Sequence, residues 1–315
     1  MNRKIISLIV VFSLLLLPAA LAEPIARVGA LKGPTAMGMV EMMDANADAY
    51  AFTLAAAPDE VVPLLVKGEL DIAAVPANLG SVLYNNTQGA VRVLAINTLG
   101  VLYIVERGDT VHSVADLKGR TLVTAGKGST PEYALNYILR GNGLDPEQDV
   151  TIEFKSEHAE CLAAMLQDES VVAMLPQPFA TVAQTKAEDM RVALDLTAEW
   201  DALQADAEQP SAMITGVAVA RADFIENNPE AVAQFMADYE ASVKFVQENP
   251  ADAAQLIGSF DIFEAGPAEK ALPFCNIVFI AGEEMRDKLS GYLGELFAQD
   301  PAAVGGAVPE EDFYF

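Results

Sequence analysis

The chain has 315 residues, 52% of them apolar and 7% aromatic, with 19 basic against 45 acidic side chains and a formal charge of -26. That is enough apolar material for one large or two medium packed domains, and it excludes a disordered chain. So acidic a surface repels nucleic acid and anionic lipid, which need basic patches, so no nucleic-acid partner is expected.

The chain opens with Arg3 and Lys4, then an apolar run from Ile5 to Leu17 broken only by Ser7 and Ser13, then Ala20-Leu21-Ala22 before Glu23. A positive start, a short apolar stretch and an A-x-A site are the three parts of a secretory signal. The run falls well short of the roughly 20 residues that span a bilayer. Residues 1–22 are expected to be cleaved, which removes two basic residues and leaves 293 residues at -28. No cysteine stands at the cleavage point for a lipid anchor, so a free periplasmic or secreted protein is expected.

Ile25–Leu31 reads as a strand, Gly33-Pro34-Thr35 as a turn with proline at a first helical position, and Thr35–Ala45 as a helix. Pro58-Asp59-Glu60 opens a helix that Gly68 ends. Strand Asp71–Val75 is broken by Pro76-Ala77-Asn78, and a short helix runs to Tyr84. Strands Val91–Ile96 and Val101–Glu106 follow.

A second unit starts near Arg107, with strands at Thr121–Ala125, Thr151–Phe154, Val171–Leu175 and Val192–Leu196. Between them lie helices at Glu132–Arg140, Glu157–Gln167 and Phe179–Glu188. Residues 200–211 read as a surface loop and Ile214–Ala220 as a strand. From Asp223 the pattern is helical, with starts at Asn228-Pro229-Glu230 and Asn249-Pro250-Ala251, a helix over Glu283–Phe297, and a loose acidic tail.

This alternation predicts an α/β architecture with largely parallel strands. One lobe takes residues 23–102 and 216–315, the other 106–212. The chain crosses between them near 97–106 and 212–218, and two crossings make a hinge suited to closing on a ligand.

The catalytic inventory is thin. His112 and His158 share no metal-ligand spacing, and no nucleophile elbow, Walker loop or G-x-G-x-x-G is present, so no catalytic residue, metal or cofactor is expected. Glu157-His158 reads either as a local acid–base pair or as a solvated helix start. Cys161 and Cys275 give no disulfide framework.

Four loops at strand carboxyl ends say more, because ligands of open α/β sheets lie there. They are Lys32-Gly33-Pro34-Thr35, Pro76-Ala77-Asn78, Gly126 to Pro131, and Pro176-Gln177-Pro178-Phe179. Each leads into a helix, whose first amides suit anions or carbonyl-like acceptors. Ser129 and Thr130 serve as helix caps as readily as ligand contacts. Tyr84, Tyr103 and Phe179 are the rings near these loops that could stack on a flat ligand, or simply fill the core.

The stretches Gly68-x-x-Asp71-Ile72-Ala73, Asp116-Leu117-Lys118-Gly119, Gly126-x-Gly128-Ser129-Thr130-Pro131-Glu132, Met174-Leu175-Pro176-Gln177-Pro178-Phe179, Asp223 to Val232 and Pro273-x-x-Asn276 together carry a resemblance. In order and spacing the chain resembles substrate-binding proteins of ABC importers in the nitrate/sulfonate/taurine and thiamine-precursor group. The resemblance implies a two-lobed type 2 periplasmic-binding fold, and a monomer that delivers a small-molecule ligand to an ABC permease at the membrane. By position it makes Gly33, Pro34, Thr35, Asn78, Gly128, Ser129, Thr130, Gln177 and Phe179 pocket candidates, with Asn97 and Thr98 beside them at the hinge. Gln177 stands where the family often has an acid, and no arginine falls in the four loops, where only Lys32 and Lys127 are cationic. That departure points to a small polar or weakly anionic organic ligand, rather than one held by a bidentate arginine. A receptor subunit for a signalling protein, or an enzyme on the same fold, are the alternatives.

Overall fold

The computed structural model describes residues 24–207 and 211–315. The expected signal at 1–22 lies outside the described residues. Among those described, no helix is long and apolar enough to cross a membrane.

The first stretch runs β1 (Ala26–Leu31), α1 (Pro34–Met37), α2 (Val40–Ala45), β2 (Tyr50–Ala55), α3 (Pro58–Lys67), β3 (Ile72–Pro76), α4 (Ala77–Asn86) and β4 (Val91–Leu99). The single helix expected over Thr35–Ala45 is two. Gly38 interrupts it, with Ile277 packed within 2.9 Å of where a Cβ would stand. α3 starts on Pro58, its Glu60 carboxylate accepts from the amides of Ala56 and Ala57, and Gly68 ends it at φ 77°. β2 went unread in the sequence, because only its outer residues, Tyr50 and Ala55, are fully buried.

The second stretch runs β5 (Leu102–Arg107), β6 (Thr121–Thr124), α5 (Thr130–Gly141), β7 (Thr151–Phe154), α6 (His158–Gln167), β8 (Val172–Pro176), α7 (Phe179–Lys186), β9 (Met190–Asp195) and α8 (Leu196–Gln204). α8 overturns the expected surface loop over residues 200–204. The Asp195 carboxylate accepts from the Thr197 amide at 2.9 Å to cap it, and Trp200 inside it is wholly buried.

The third stretch runs β10 (Ile214–Arg221), α9 (Ala222–Asn227), α10 (Pro229–Glu248), α11 (Pro250–Ser259), α12 (Ala265–Ala271), β11 (Ile277–Ile280) and α13 (Gly282–Gln299). The tail is not loose. Phe313 is fully buried against Tyr84, with ring centroids 5.2 Å apart, and the Phe315 amide donates to the Val93 carbonyl at 3.0 Å.

The strands form two sheets. One has the order β11-β4-β10-β3-β1-β2, the other β7-β6-β8-β5-β9. In the first, β1, β2 and β3 are parallel and β10 lies antiparallel between β3 and β4. In the second, β6, β7 and β8 are parallel and β5 lies antiparallel between β8 and β9. Setting β11 aside, the two orders are the same, and each sheet anchors one lobe.

Three apolar cores follow from this. One packs α1, α2, α10 and α11 on the outer face of the first sheet, and a second packs α6 and α7 on the second sheet. The third is shared: Val75 and Ile96 of the first sheet and Leu122 and Val172 of the second join Trp200 of α8 and Tyr292 of α13. Cys161 and Cys275 are free and buried, and burial pushes the Cys161 thiol up to about 11.

Charges gather at the opposite edge from the strand carboxyl ends. Asp71 takes the Arg27 guanidinium side-on, through Nε at 2.8 Å and a second nitrogen at 2.5 Å. Glu106 is buried beneath Arg191, 2.6 Å away. Burial alone would raise its carboxyl, but hydrogen bonds from Thr110 and Val111, together with Arg191, outweigh it and hold the group below its usual range.

Candidate functional site

The turns after β1 and β3 belong to the first sheet and those after β6 and β8 to the second, and the two sets meet where Asn78 reaches Thr130 and Phe179 reaches Phe263.

β3 and β8 hold corresponding positions in the two sheets, and each ends on proline before a helix. Pro76 precedes α4 and Pro178 precedes α7, and neither supplies a side-chain cap. The first amides of a helix have no partner inside it, so these two starts carry donors that must be met from outside the helix. Gln177 meets part of that need: its amide oxygen accepts from the Thr181 backbone at 3.2 Å and the Thr181 hydroxyl at 2.8 Å. Its side chain is 3% exposed and also lies against the Tyr103 phenol.

α5 is different, because its donors are all taken. The Gly128 amide donates to the Glu132 carboxylate at 2.5 Å, the Ser129 amide and hydroxyl donate to the Gly126 carbonyl, and the Thr130 amide donates to the Asn78 side-chain oxygen at 3.0 Å. Pro131 has no N–H, and the next two amides donate to the Ser129 carbonyl. Asn78 and Thr130, separate candidates in the sequence, are thus brought together.

On the first sheet, Thr35, Asn97 and Thr98 gather around Gly216. A Cβ on Gly216 would collide with the Asn97 oxygen and stand 2.7 Å from the Thr35 methyl. The Thr35 hydroxyl donates to the Leu31 carbonyl at 2.9 Å and the Thr98 hydroxyl to the Asn97 oxygen at 3.0 Å. The Asn97 amide nitrogen and the Tyr239 hydroxyl are both buried and face each other, and among the described residues neither meets another partner. Gly33 and Pro34 are half-buried at the start of α1, and Gly33 at φ 134° holds a backbone shape that side chains resist.

Phe179 meets Phe263 of the other lobe edge-on, centroids 5.3 Å apart, and packs on His158 at 5.6 Å. His158 is partly buried and burial lowers it to about 4; Glu157 is exposed at the α6 start and makes no ion pair with His158 among the described residues, so the helix-start reading holds and the acid–base pair does not. The Tyr103 hydroxyl crosses the cleft to the Phe274 carbonyl at 3.1 Å. Tyr84 does not face the cleft; its hydroxyl is taken by Asp312 of the tail.

The two nearby cations are engaged elsewhere: Lys32 pairs with Asp261 at 2.7 Å, and Lys127 sits over the Phe154 ring at 5.7 Å. Among the described residues no group of three or more His, Cys, Asp or Glu could hold a metal. The sequence reading missed the site roles of Gly216, Tyr239 and Phe263. A glycine inside an apolar strand is the one signal that could have found the first of them.

A family model described as "ABC transporter, phosphonate, periplasmic substrate-binding protein" matches residues 44–271. A search of curated proteins finds no match. Among solved structures, an ABC transporter from Parabacteroides distasonis is 23% identical with a TM-score of 0.76, over 92% of this chain and 98% of that one. The periplasmic aliphatic sulphonate binding protein of Escherichia coli is 17% identical with a TM-score of 0.70, over 91% and 95%. The periplasmic nitrate-binding protein of Synechocystis is 15% identical with a TM-score of 0.57, over 74% and 65%. At these identities the solved structures are similar in fold alone.

Proposed function

Because the chain belongs to the family of phosphonate-type periplasmic substrate-binding proteins of ABC transporters, we propose that it closes two lobes on a small polar or weakly anionic organic ligand and hands it to a membrane permease. The family is one of transport binding proteins and not of enzymes. In the proposal residues 23–102 with 216–315 form one lobe and 106–212 the other, hinged near 97–106 and 212–218. Residues 1–22 direct export and are removed, and the mature protein works as a monomer without a catalytic step.

The observation that carries the ligand class is the pair of proline-started helices, α4 after β3 and α7 after β8, one from each lobe and each without a side-chain cap at its first position. Two sets of helix amides favour an oxygen-bearing ligand of low charge. A strongly charged phosphonate or sulfonate is better matched by arginine, and here the nearest cations are held by Asp261 and Phe154. Thr35, Asn97, Thr98, Gln177 and Phe179 would line the chamber, with Gly33 and Pro34 at its mouth and Asn78, Gly128, Ser129 and Thr130 at the seam between the lobes. A ligand that contacts both lobes favours the closed form by its differential affinity for the two arrangements.

The test is native mass spectrometry of residues 23–315 purified from cells. A stoichiometric small-molecule adduct, released on unfolding, is expected and would give the ligand mass. If none is seen, a thermal-shift screen of carboxylates, sulfonates, phosphonates, nitrate, pyrimidines and amino acids follows. A protein that no compound stabilises would overturn the reading.

A further inference from the structure

Asn78 is fully buried, and its side chain is spent on hydrogen bonds. Its oxygen accepts from the Thr130 amide at 3.0 Å and the Thr130 hydroxyl at 3.3 Å. Its nitrogen donates to the Ala303 carbonyl at 3.1 Å and, at the longer 3.5 Å, to the Gly128 carbonyl. A side-chain amide has two acceptor sites and two donors, so nothing remains for a ligand. The four residues also come from three places. Asn78 is on α4 of one lobe, Gly128 and Thr130 are at the start of α5 in the other, and Ala303 is in the tail.

We infer that Asn78 is a clasp between the lobes and not a ligand contact: its oxygen seats on the α5 N-terminus and holds the lobes together without any ligand. The inference rests on the reading of the two sheets as moving lobes. Its physical basis is the α5 N-terminus. Helix starts attract oxygens, and among the described residues the only oxygen from the opposite lobe that meets a first-turn amide of α5 belongs to Asn78. Separating the lobes leaves the Thr130 amide to water and the Asn78 amide half-paired, so the clasp biases the chain toward the closed form. A ligand then binds a protein already tilted toward closure, and less of its binding energy is spent on the motion.

The experiment needs no ligand. Residues 23–315 are spin-labelled at Val66→Cys in α3 and Leu166→Cys in α6, both exposed positions, one in each lobe. The native cysteines are buried. The distance distribution is measured for this protein and for three variants. Asn78→Ala removes the clasp. Thr130→Pro removes both lobe-two donors and leaves Asn78 in place. Proline suits the first helical position, and Ser129 at φ -132° and ψ 178° has the extended backbone that precedes it. Ser81→Ala breaks a bond from α4 to the Val304 carbonyl that does not cross the cleft.

The labelled parent is expected to show mainly one distance. Asn78→Ala and Thr130→Pro should each add a second population, with the open-to-closed ratio raised roughly tenfold for one or two lost hydrogen bonds. Ser81→Ala should match the parent. Circular dichroism establishes that each variant is folded, and should Asn78→Ala not fold, Thr130→Pro decides alone. A folded Thr130→Pro with the parent's distribution overturns the clasp, as does a parent that is already open. Because no ligand enters the measurement, either result leaves the mass-spectrometric test of transport standing.

Discussion

Trp200 lies on Tyr137 with ring centroids 4.2 Å apart, and Tyr292 reaches the same indole at 5.3 Å. Trp200 and Tyr137 belong to α8 and α5 beside the second sheet, whereas Tyr292 belongs to α13, whose chain continues into the tail wrapped on α4. The indole N–H donates to the Ser211 carbonyl at 3.1 Å. The stack therefore ties the last helix to the lobe built from the middle of the chain. With one tryptophan in the sequence, emission reports this joint alone. Native emission should be that of a buried indole. Tyr292→Ala should move it to longer wavelength and cost about 3–5 kcal/mol in urea unfolding, in the range of large core truncations. Unchanged emission would mean that α13 does not rest on Trp200.

Gly216 should not tolerate a methyl group. In Gly216→Ala the new Cβ meets Asn97 and Thr35 together, and one of them must move. The expected loss is about 1–3 kcal/mol, typical of overpacking. Thermal unfolding of the purified variant measures it, and a melting temperature equal to the parent's would show the cradle to be loose.

Phe313 should behave as a core residue although only two residues follow it in the sequence. Phe313→Ala is expected to cost about 3–5 kcal/mol and to sharply lower the denaturant midpoint. Phe315→Ala, at a half-exposed ring, should do little. Equal effects from the two changes would contradict the packing described.

His158 should make the protein sensitive to mild acid. Its folded-state value is lowered to about 4 from 6.5 by burial, so the unfolded chain takes up the proton more readily. The stabilising contribution is present above about 6.5 and is lost as pH falls from there toward 4. Urea midpoints measured between pH 7 and 4 should fall less steeply in His158→Gln than in the parent. Parallel curves would place the imidazole in contact with water.

Much of the frame was legible because parallel strands and proline-started helices announce themselves. β3 and β8 are short apolar runs that end on proline, and α10 and α11 begin at Asn-Pro pairs. What escaped depended on contacts remote in sequence. α8 carries Thr, Glu, Asp and Ala around one tryptophan, which reads as a loop until Tyr137 and Tyr292 supply the surface that buries it. β11 has four residues, too few for a periodicity. The loops of the site were found because glycine, proline and small polar residues mark strand ends. That Asn78 and Thr130 satisfy each other across 52 positions is geometry that no local pattern carries.

The common strand order of the two sheets has a consequence for how the chain is assembled. The sheet of β5 to β9 is drawn from one continuous stretch, residues 102–195. The sheet that begins earlier has a gap between β3 and β4 that only β10, at Ile214–Arg221, can fill. For a chain made from its amino end, every strand of the later sheet is available while the earlier one still lacks its keystone. The sheet that starts first is therefore the last to have all its strands.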